Sequence, residues 1–344
     1  MNLDQLNAIA VKMVTPGQGL LAADESTGTI TKRFDSINTK STVDSRRDWR
    51  EMLFRADEAM RNHISGVILY DETIRQTAKD GTTLVDLIKK NDAVPGIKVD
   101  TGAKPMAGRT GETITEGLDG LRERLNEYYK LGARFAKWRA VIHVGDPRHS
   151  ENVTPTWGAI KANTHALARY AALCQEANIV PIVEPEVLMD GHHGIQTCHD
   201  VTQQVLKSLY IELHEQGVAL EGTVLKPNMI VPGKLCHTQA CIDEVAERTI
   251  KVLKDCVPSA VPGIAYLSGG QDDVLATAHL HAMNKIGGFP WSMTYSYGRA
   301  LQASALKTWS GKDANVEAAQ KAFYHRAHMN GLASMGEWDK SLEG

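Results

Sequence analysis

Short apolar runs recur along the chain, each closing on charged, polar or glycine residues and followed by a stretch with apolar residues at helical spacing. The runs cover residues 19–25, 65–70, 96–100, 134–142, 179–186, 222–228, 263–270 and 291–298. They are too short for helices and are bounded by glycine or proline, which predicts strands. Between them, spacing predicts helices over 44–62, 82–90, 117–131, 156–177, 196–216, 239–255 and 271–284. A short helix at 4–13 stands in front and helical pattern fills much of 299–332. Asp44 occupies a cap position, with Trp49, Met52, Leu53 and Ala56 on one helical face. Ser26-Thr27-Gly28-Thr29 reads as a turn. Residues 101–115, with Gly102, Pro105, Gly108 and Gly111, read as a loop.

Eight strands alternating with helices imply parallel strands joined by helical crossovers. Neither a linker nor a low-complexity segment interrupts them. The prediction is α/β: one (β/α)8 TIM barrel domain spanning residues 1–344, with a short N-terminal helix and a C-terminal helical segment. No strand runs into a GxGxxG turn, which argues against an open dinucleotide-binding sheet.

Composition removes several classes of function. The net charge of −3 gives no basic field for nucleic acid. No apolar run approaches the ~20 residues that span a membrane, and residues 1–14 lack a secretory pattern. Five cysteines at scattered spacings, with no CxxC pair, point to reduced thiols in a cytoplasmic protein. His192-His193 and the pair His325 and His328 raise a metal site, but no HExxH or Cys/His cluster accompanies them, so no metal is expected.

Chemistry gathers where the strands end. The run 222–228 is apolar, reaches Lys226 and is stopped by Pro227. An unpaired ammonium is costly to bury. Either Lys226 snorkels to solvent, or burial and nearby cations lower its pKa and the amine is a nucleophile for a carbonyl. The other strand ends carry Asp24, Glu25, Asp71, Lys98, Asp100, Lys137, Arg139, Glu184, Glu186, Ser268 and Ser296. Singly, each reads as a solvated loop charge. In a barrel they converge on one rim, as a mixed cluster that pushes pKa values apart.

Spacing adds detail. Lys137 and Arg139 alternate around Trp138, so both face the lumen, and Glu184 and Glu186 share that relation. Two neighbouring carboxylates resist joint ionisation, so one is expected to hold a proton. Ser268-Gly269-Gly270 precedes a helix and Arg299 follows Ser296-Tyr297-Gly298, together an anion site at the last two strand ends. Gly269-Gly270 alone reads equally as a simple turn. Lys32, Arg33 and Arg139 are placed to hold a second anion on the opposite side.

At these residues the chain resembles the class I, Schiff-base fructose-bisphosphate aldolases. The resemblance runs from about Gly19 to about Leu332 through seven motifs in family order. They are LAADESTG at 21–28, GIKVD at 96–100, FAKWR at 135–139, IVPIVEPE at 179–186, LKPNM at 225–229, LSGGQ at 267–271 and SYGRALQ at 296–302. It implies cleavage of fructose 1,6-bisphosphate in glycolysis, reversed in gluconeogenesis, with Lys226 as the Schiff-base lysine. Glu184 would handle protons in imine formation, with Glu186 in support. Asp24 would engage the C4 hydroxyl, and Lys137 would lie beside the reacting carbonyl. Ser268, Gly269, Ser296, Gly298 and Arg299 match the C1-phosphate site. Thr29, Lys32, Arg33, Lys98 and Arg139 match the C6-phosphate side, Thr29 standing where the family has serine. The resemblance further implies no metal or other cofactor, a sugar phosphate as the small-molecule partner, a cytoplasmic location and a homotetramer.

Animal and plant members end in a tail whose terminal tyrosine aids product release. No tyrosine follows Tyr324 here, a departure read as bacterial. It leaves protonation of the enamine to water or to a side chain in the mouth, with Glu186 as the candidate. Two other readings stand beside this one: a different Schiff-base barrel, such as transaldolase or deoxyribose-phosphate aldolase, and a barrel serving as a binding scaffold.

Overall fold

Eight parallel strands close on themselves in the computed structural model, which describes residues 1–145 and 155–344. The strands are β1 (Gly19–Ala23), β2 (Ile64–Leu69), β3 (Val94–Lys98), β6 (Phe135–Ile142), β7 (Val180–Val187), β8 (Val224–Leu225), β9 (Gly263–Tyr266) and β10 (Ser292–Tyr297). Each pairs with the next, and β10 returns to β1 with Leu20 opposite Ser296. The two remaining strands, β4 (Gly102–Pro105) and β5 (Thr113–Glu116), form an antiparallel hairpin outside the barrel. Helices run back between the strands, so this is the predicted (β/α)8 TIM barrel.

The period-two alternation of a strand sorts its side chains between lumen and helix layer. On β6, Phe135, Lys137 and Arg139 point inward. Trp138 between them points out and packs on Tyr170 with ring centroids 5.6 Å apart. The lower lumen is filled by Leu20, Ala22, Ile68, Val94, Phe135, Val180, Ile182, Val224 and Ala265. Helix Leu3–Met13 plugs this end with Leu6, Ala10 and Met13, followed by Val14. Phe135 occupies the centre because its neighbours make room: a Cβ on Gly96 would lie 2.3 Å from its ring, and one on Gly66 would lie 3.0 Å away. Burying one such side chain contributes about 1.5–3 kcal/mol.

Local departures from the sequence reading have identifiable causes. The turn expected at Ser26–Thr29 is the start of a helix, Thr27–Asp35. Ser26 caps it by accepting from Thr29 N, and Ile30 and Phe34 bury its inner face. The helix expected over 44–62 is two, Val43–Phe54 and Asp57–His63. Ala56 leaves helical conformation at ψ 67°, and Asp57 and Glu58 give the second helix an acidic first turn. The loop 101–115 contains the β4–β5 hairpin, whose four-residue strands are too short to declare an alternation. The run 222–228 shrinks to the two residues of β8, so Lys226 stands just beyond the assigned strand.

Candidate active site

Lys226 continues the ladder although β8 has ended, since its N–H donates to Val183 O at 2.8 Å. Pro227 stops the pairing, and Asn228 anchors the chain beyond it. The Asn228 side chain accepts from Val187 N at 3.0 Å and donates to Thr202 Oγ1 at 3.2 Å. The lysine therefore has a rigid base and a side chain only 4% exposed, inside the barrel mouth. That favours the buried over the snorkelling reading of its position.

Four groups form an alternating chain across the lumen. Lys226 Nζ lies 3.2 Å from Glu184 Oε1, the other Glu184 oxygen lies 3.1 Å from Lys137 Nζ, and Lys137 donates to Asp24 Oδ2 at 3.0 Å. Burial lowers the Lys226 pKa, with Lys137 adding to it, against the opposing pull of Glu184 and Asp24. Burial would also lower Lys137, but Asp24, Glu184 and Asp100 outweigh it and hold that ammonium well above its ordinary value. Burial would raise Asp24, yet Lys137 and Lys226 bring it down to about 2. The two lysines are thus pushed apart, one towards the neutral amine and one firmly cationic.

The proton sharing expected of Glu184 and Glu186 is not what the geometry gives. Glu186 pairs with Arg139. Burial would raise Glu184, but Lys137, Lys226 and Arg139 outweigh it and lower its pKa. Lys137 and Lys226 contact Glu184 and Arg139 contacts Glu186, cations supplied by neighbouring strands that the spacing within β7 could not reveal.

Around this chain opens a cavity of about 760 Å³. At one end, Gly269 and Gly270 adopt successive left-handed conformations, φ 58° and 84°, a backbone shape that gathers amide groups towards an anion. Ser296 adds a buried hydroxyl with no partner among the described residues. Arg299 is exposed at the rim, and one of its terminal nitrogens lies 3.4 Å from the place a Gly270 Cβ would take. At the other end stand Thr29, Arg33, Lys98 and Arg139. Lys98 is paired with Asp100 at 2.6 Å and Arg33 with Glu25. Arg33 also lies near Gly298, where a Cβ would be 3.6 Å from its Nη2, so it stands within reach of both ends. Lys32 does not join them: it is exposed on helix Thr27–Asp35 and lines no part of the cavity.

Behind the wall, Arg50 is fully buried and donates to Glu25 O at 2.9 Å. Gln302 donates to Glu25 Oε1 at 3.0 Å and to Ala22 O at 2.7 Å. Both brace the end of β1, and the sequence pattern showed neither. It also missed Lys234 and Asp190, which line the cavity from the loops after β8 and β7.

The histidines singled out in the sequence are dispersed. His193 is buried, His192 Nδ1 lies 3.1 Å from Leu235 O, His325 lies 3.5 Å from Glu343, and His328 stacks on His63. Among the described residues no group of three or more His, Cys, Asp or Glu side chains is arranged to hold a metal ion.

A family model described as fructose-bisphosphate aldolase class-I matches residues 5–344. The chain belongs to the class I fructose-bisphosphate aldolase family. It is 53% identical to a probable fructose-bisphosphate aldolase class 1 of Xanthomonas axonopodis pathovar citri, over 98% of this chain and 99% of that one. It is 50% identical to cytosolic fructose-bisphosphate aldolase 4 of Arabidopsis thaliana, over 96% of this chain and 83% of the relative. A solved fructose-bisphosphate aldolase from Plasmodium falciparum, in complex with TRAP and a small-molecule inhibitor, superposes with a TM-score of 0.94 at 44% identity. That superposition covers 98% of this chain and 96% of the other. For a class I aldolase, the buried lysine at the end of β8 is the group to test first.

Proposed function

We propose that Lys226 is the amine through which this class I aldolase cleaves fructose 1,6-bisphosphate. The products are dihydroxyacetone phosphate and glyceraldehyde 3-phosphate, in glycolysis and, run backwards, gluconeogenesis. One observation carries the assignment: a buried lysine, lowered in pKa, 3.2 Å from a carboxylate.

The neutral amine attacks the C2 ketone of the open-chain sugar, and Glu184 relays the protons as the carbinolamine loses water. The iminium is an electron sink. Asp24 takes the proton of the C4 hydroxyl, the C3–C4 bond breaks, and its electrons pass into an enamine. Glyceraldehyde 3-phosphate leaves as the aldehyde. Protonation at C3 and addition of water then release dihydroxyacetone phosphate and restore the amine. Lys137 stays cationic throughout, holding Asp24 and Glu184 and facing the developing charge at the carbonyl oxygen. Glu186 supports the proton transfers, and its pair with Arg139 must open before it can reach the enamine carbon.

Ser268, Gly269, Ser296, Gly298 and Arg299 take the C1 phosphate. Thr29, Arg33, Lys98 and Arg139 take the C6 phosphate. The iminium supplies the positive charge that a metal would otherwise provide, so the reading requires no metal or other cofactor. We place the enzyme in the cytoplasm as a homotetramer, with residues 1–344 as one domain. Cytosolic relatives in Arabidopsis support the location, and no described helix is long and apolar enough to cross a membrane.

Borohydride reduction in the presence of dihydroxyacetone phosphate should label the peptide containing Lys226, with or without a chelator. Label on Lys98 or Lys137, or its loss with the chelator, would overturn the assignment.

A further inference from the structure

Lys234 is a lining cation that the assigned chemistry does not use. Its backbone is fixed by a pairing of two loops. Lys234 N donates to Met189 O at 2.8 Å, Leu235 N to Gly191 O at 2.9 Å, and Gly233 N to His193 O at 2.8 Å. The approach is so close that a Cβ on Gly233 would fall 2.3 Å from Gly191 O. The loop after β8 is thereby latched to the loop after β7, and the lysine side chain extends over the mouth. Asp190 takes its ammonium at 2.9 Å.

That ammonium sits above the bare Gly269–Gly270 turn. A Cβ on Gly270 would lie 2.7 Å from Lys234 Nζ and 3.4 Å from an Arg299 terminal nitrogen. Two cations, one from the loop after β8 and one from the first turn of helix Arg299–Trp309, therefore converge on amide groups already gathered for an anion. Like charges so placed repel until an anion lies between them. Among the described residues the Arg299 side chain has no hydrogen-bond or ion-pair partner. The carboxylate opposing Lys234 is weak competition, because the Asp190 side chain is 66% exposed and exposed pairs contribute little.

We propose that Lys234 is a further substrate-binding residue: the second cation of a clamp on the phosphate beside the ketone, exchanging Asp190 for that phosphate. The proposal rests on assigning Ser268, Gly269 and Arg299 to the C1 phosphate. It makes the clamp selective for phosphate esters at the ketose end, which fructose 1,6-bisphosphate, fructose 1-phosphate and dihydroxyacetone phosphate share. Glyceraldehyde 3-phosphate does not engage it.

The test compares Lys234→Gln, Lys234→Arg and Arg299→Ala, each first checked for an unchanged thermal midpoint. Lys234→Gln should raise the KM for both sugars and the Kd for dihydroxyacetone phosphate together, by about 10-fold, as expected for loss of a charge-assisted contact. The effect should shrink at high salt. The KM for glyceraldehyde 3-phosphate in the condensation direction should hardly move, and Lys234→Arg should recover most of the loss. An unaltered Kd in Lys234→Gln beside a weakened Arg299→Ala overturns the role of Lys234 and leaves the phosphate assignment standing. An unaltered Kd in both variants overturns the assignment and the proposal with it. A loss confined to glyceraldehyde 3-phosphate puts Lys234 at the other phosphate and also overturns the clamp.

Discussion

Near the start of its strands the barrel lumen holds Leu20, Val94, Phe135, Val180 and Val224, all buried and apolar. Further along the same strands it holds Asp24, Lys98, Lys137, Glu184 and Lys226. One alternation feeds both ends, so the difference lies in position along the strand and not in which strand is used. The floor gains from every methylene it removes from water. The mouth buries charges whose mutual attraction offsets only part of their desolvation. Stability and chemistry are thus separated within single strands, with β6 contributing Phe135 to one and Lys137 to the other.

Lys226→Met gives the sharpest contrast. Cleavage should fall by on the order of 10⁴-fold or more, because no other amine replaces the nucleophile. Thermal stability should hold, since the lost amine is driven by burial towards its neutral form and Glu184 keeps Lys137 at 3.1 Å. Activity within tenfold of the parent enzyme, or a collapsed thermal midpoint, would break the separation. Phe135→Ala tests it from the floor. It should lower unfolding free energy by about 3–5 kcal/mol in urea titration, while the folded fraction still traps dihydroxyacetone phosphate at Lys226. Lost trapping with unchanged stability would show that floor and mouth are one unit.

A smaller effect concerns acid. Asp24 is held at about 2 in the folded chain against an ordinary value of 3.8. Its contribution is therefore present above pH ~4 and is lost as pH falls through ~2, worth about 2 kcal/mol by linkage. Asp24→Asn should flatten the stability curve over that window. Superposable acid limbs would mean that Lys137 does not hold Asp24 as described.

Every barrel strand and the position of Lys226 were legible in the sequence, because glycine and proline punctuate the strands and the alternation on β6 and β7 is regular. What escaped depends on groups arriving from elsewhere. Spacing put Glu184 beside Glu186, but only the neighbouring strands bring Lys137 to one and Arg139 to the other. Lys32 looked equivalent to Arg33 because Ser26–Thr29 read as a turn. Ile30 and Phe34, four apart, were the available sign of a helix, and that helix turns Lys32 outward. Arg50 carried no signal at all, lying in an ordinary helix whose partner, Glu25, is distant in sequence. Lys234 follows Pro232-Gly233 like any lysine in a turn, and only the pairing of two loops takes it into the cavity.

The pairing of Leu20 with Ser296 and of Leu21 with Tyr297 closes the barrel, and it has a consequence for the chain's birth. On the ribosome β1 emerges long before β10 exists. At ~5–20 residues per second the wait is roughly 15–55 s. Throughout that interval one edge of β1 offers unpaired amides and carbonyls to any strand nearby, and the apolar floor has no complete wall around it. Helix Leu3–Met13 is available from the outset, but the lumen end it seals forms only as the later strands arrive. The newborn polypeptide therefore passes through an open-sheet stage that only its last strand can end, and chaperone demand should be greatest before residue 297 clears the exit tunnel.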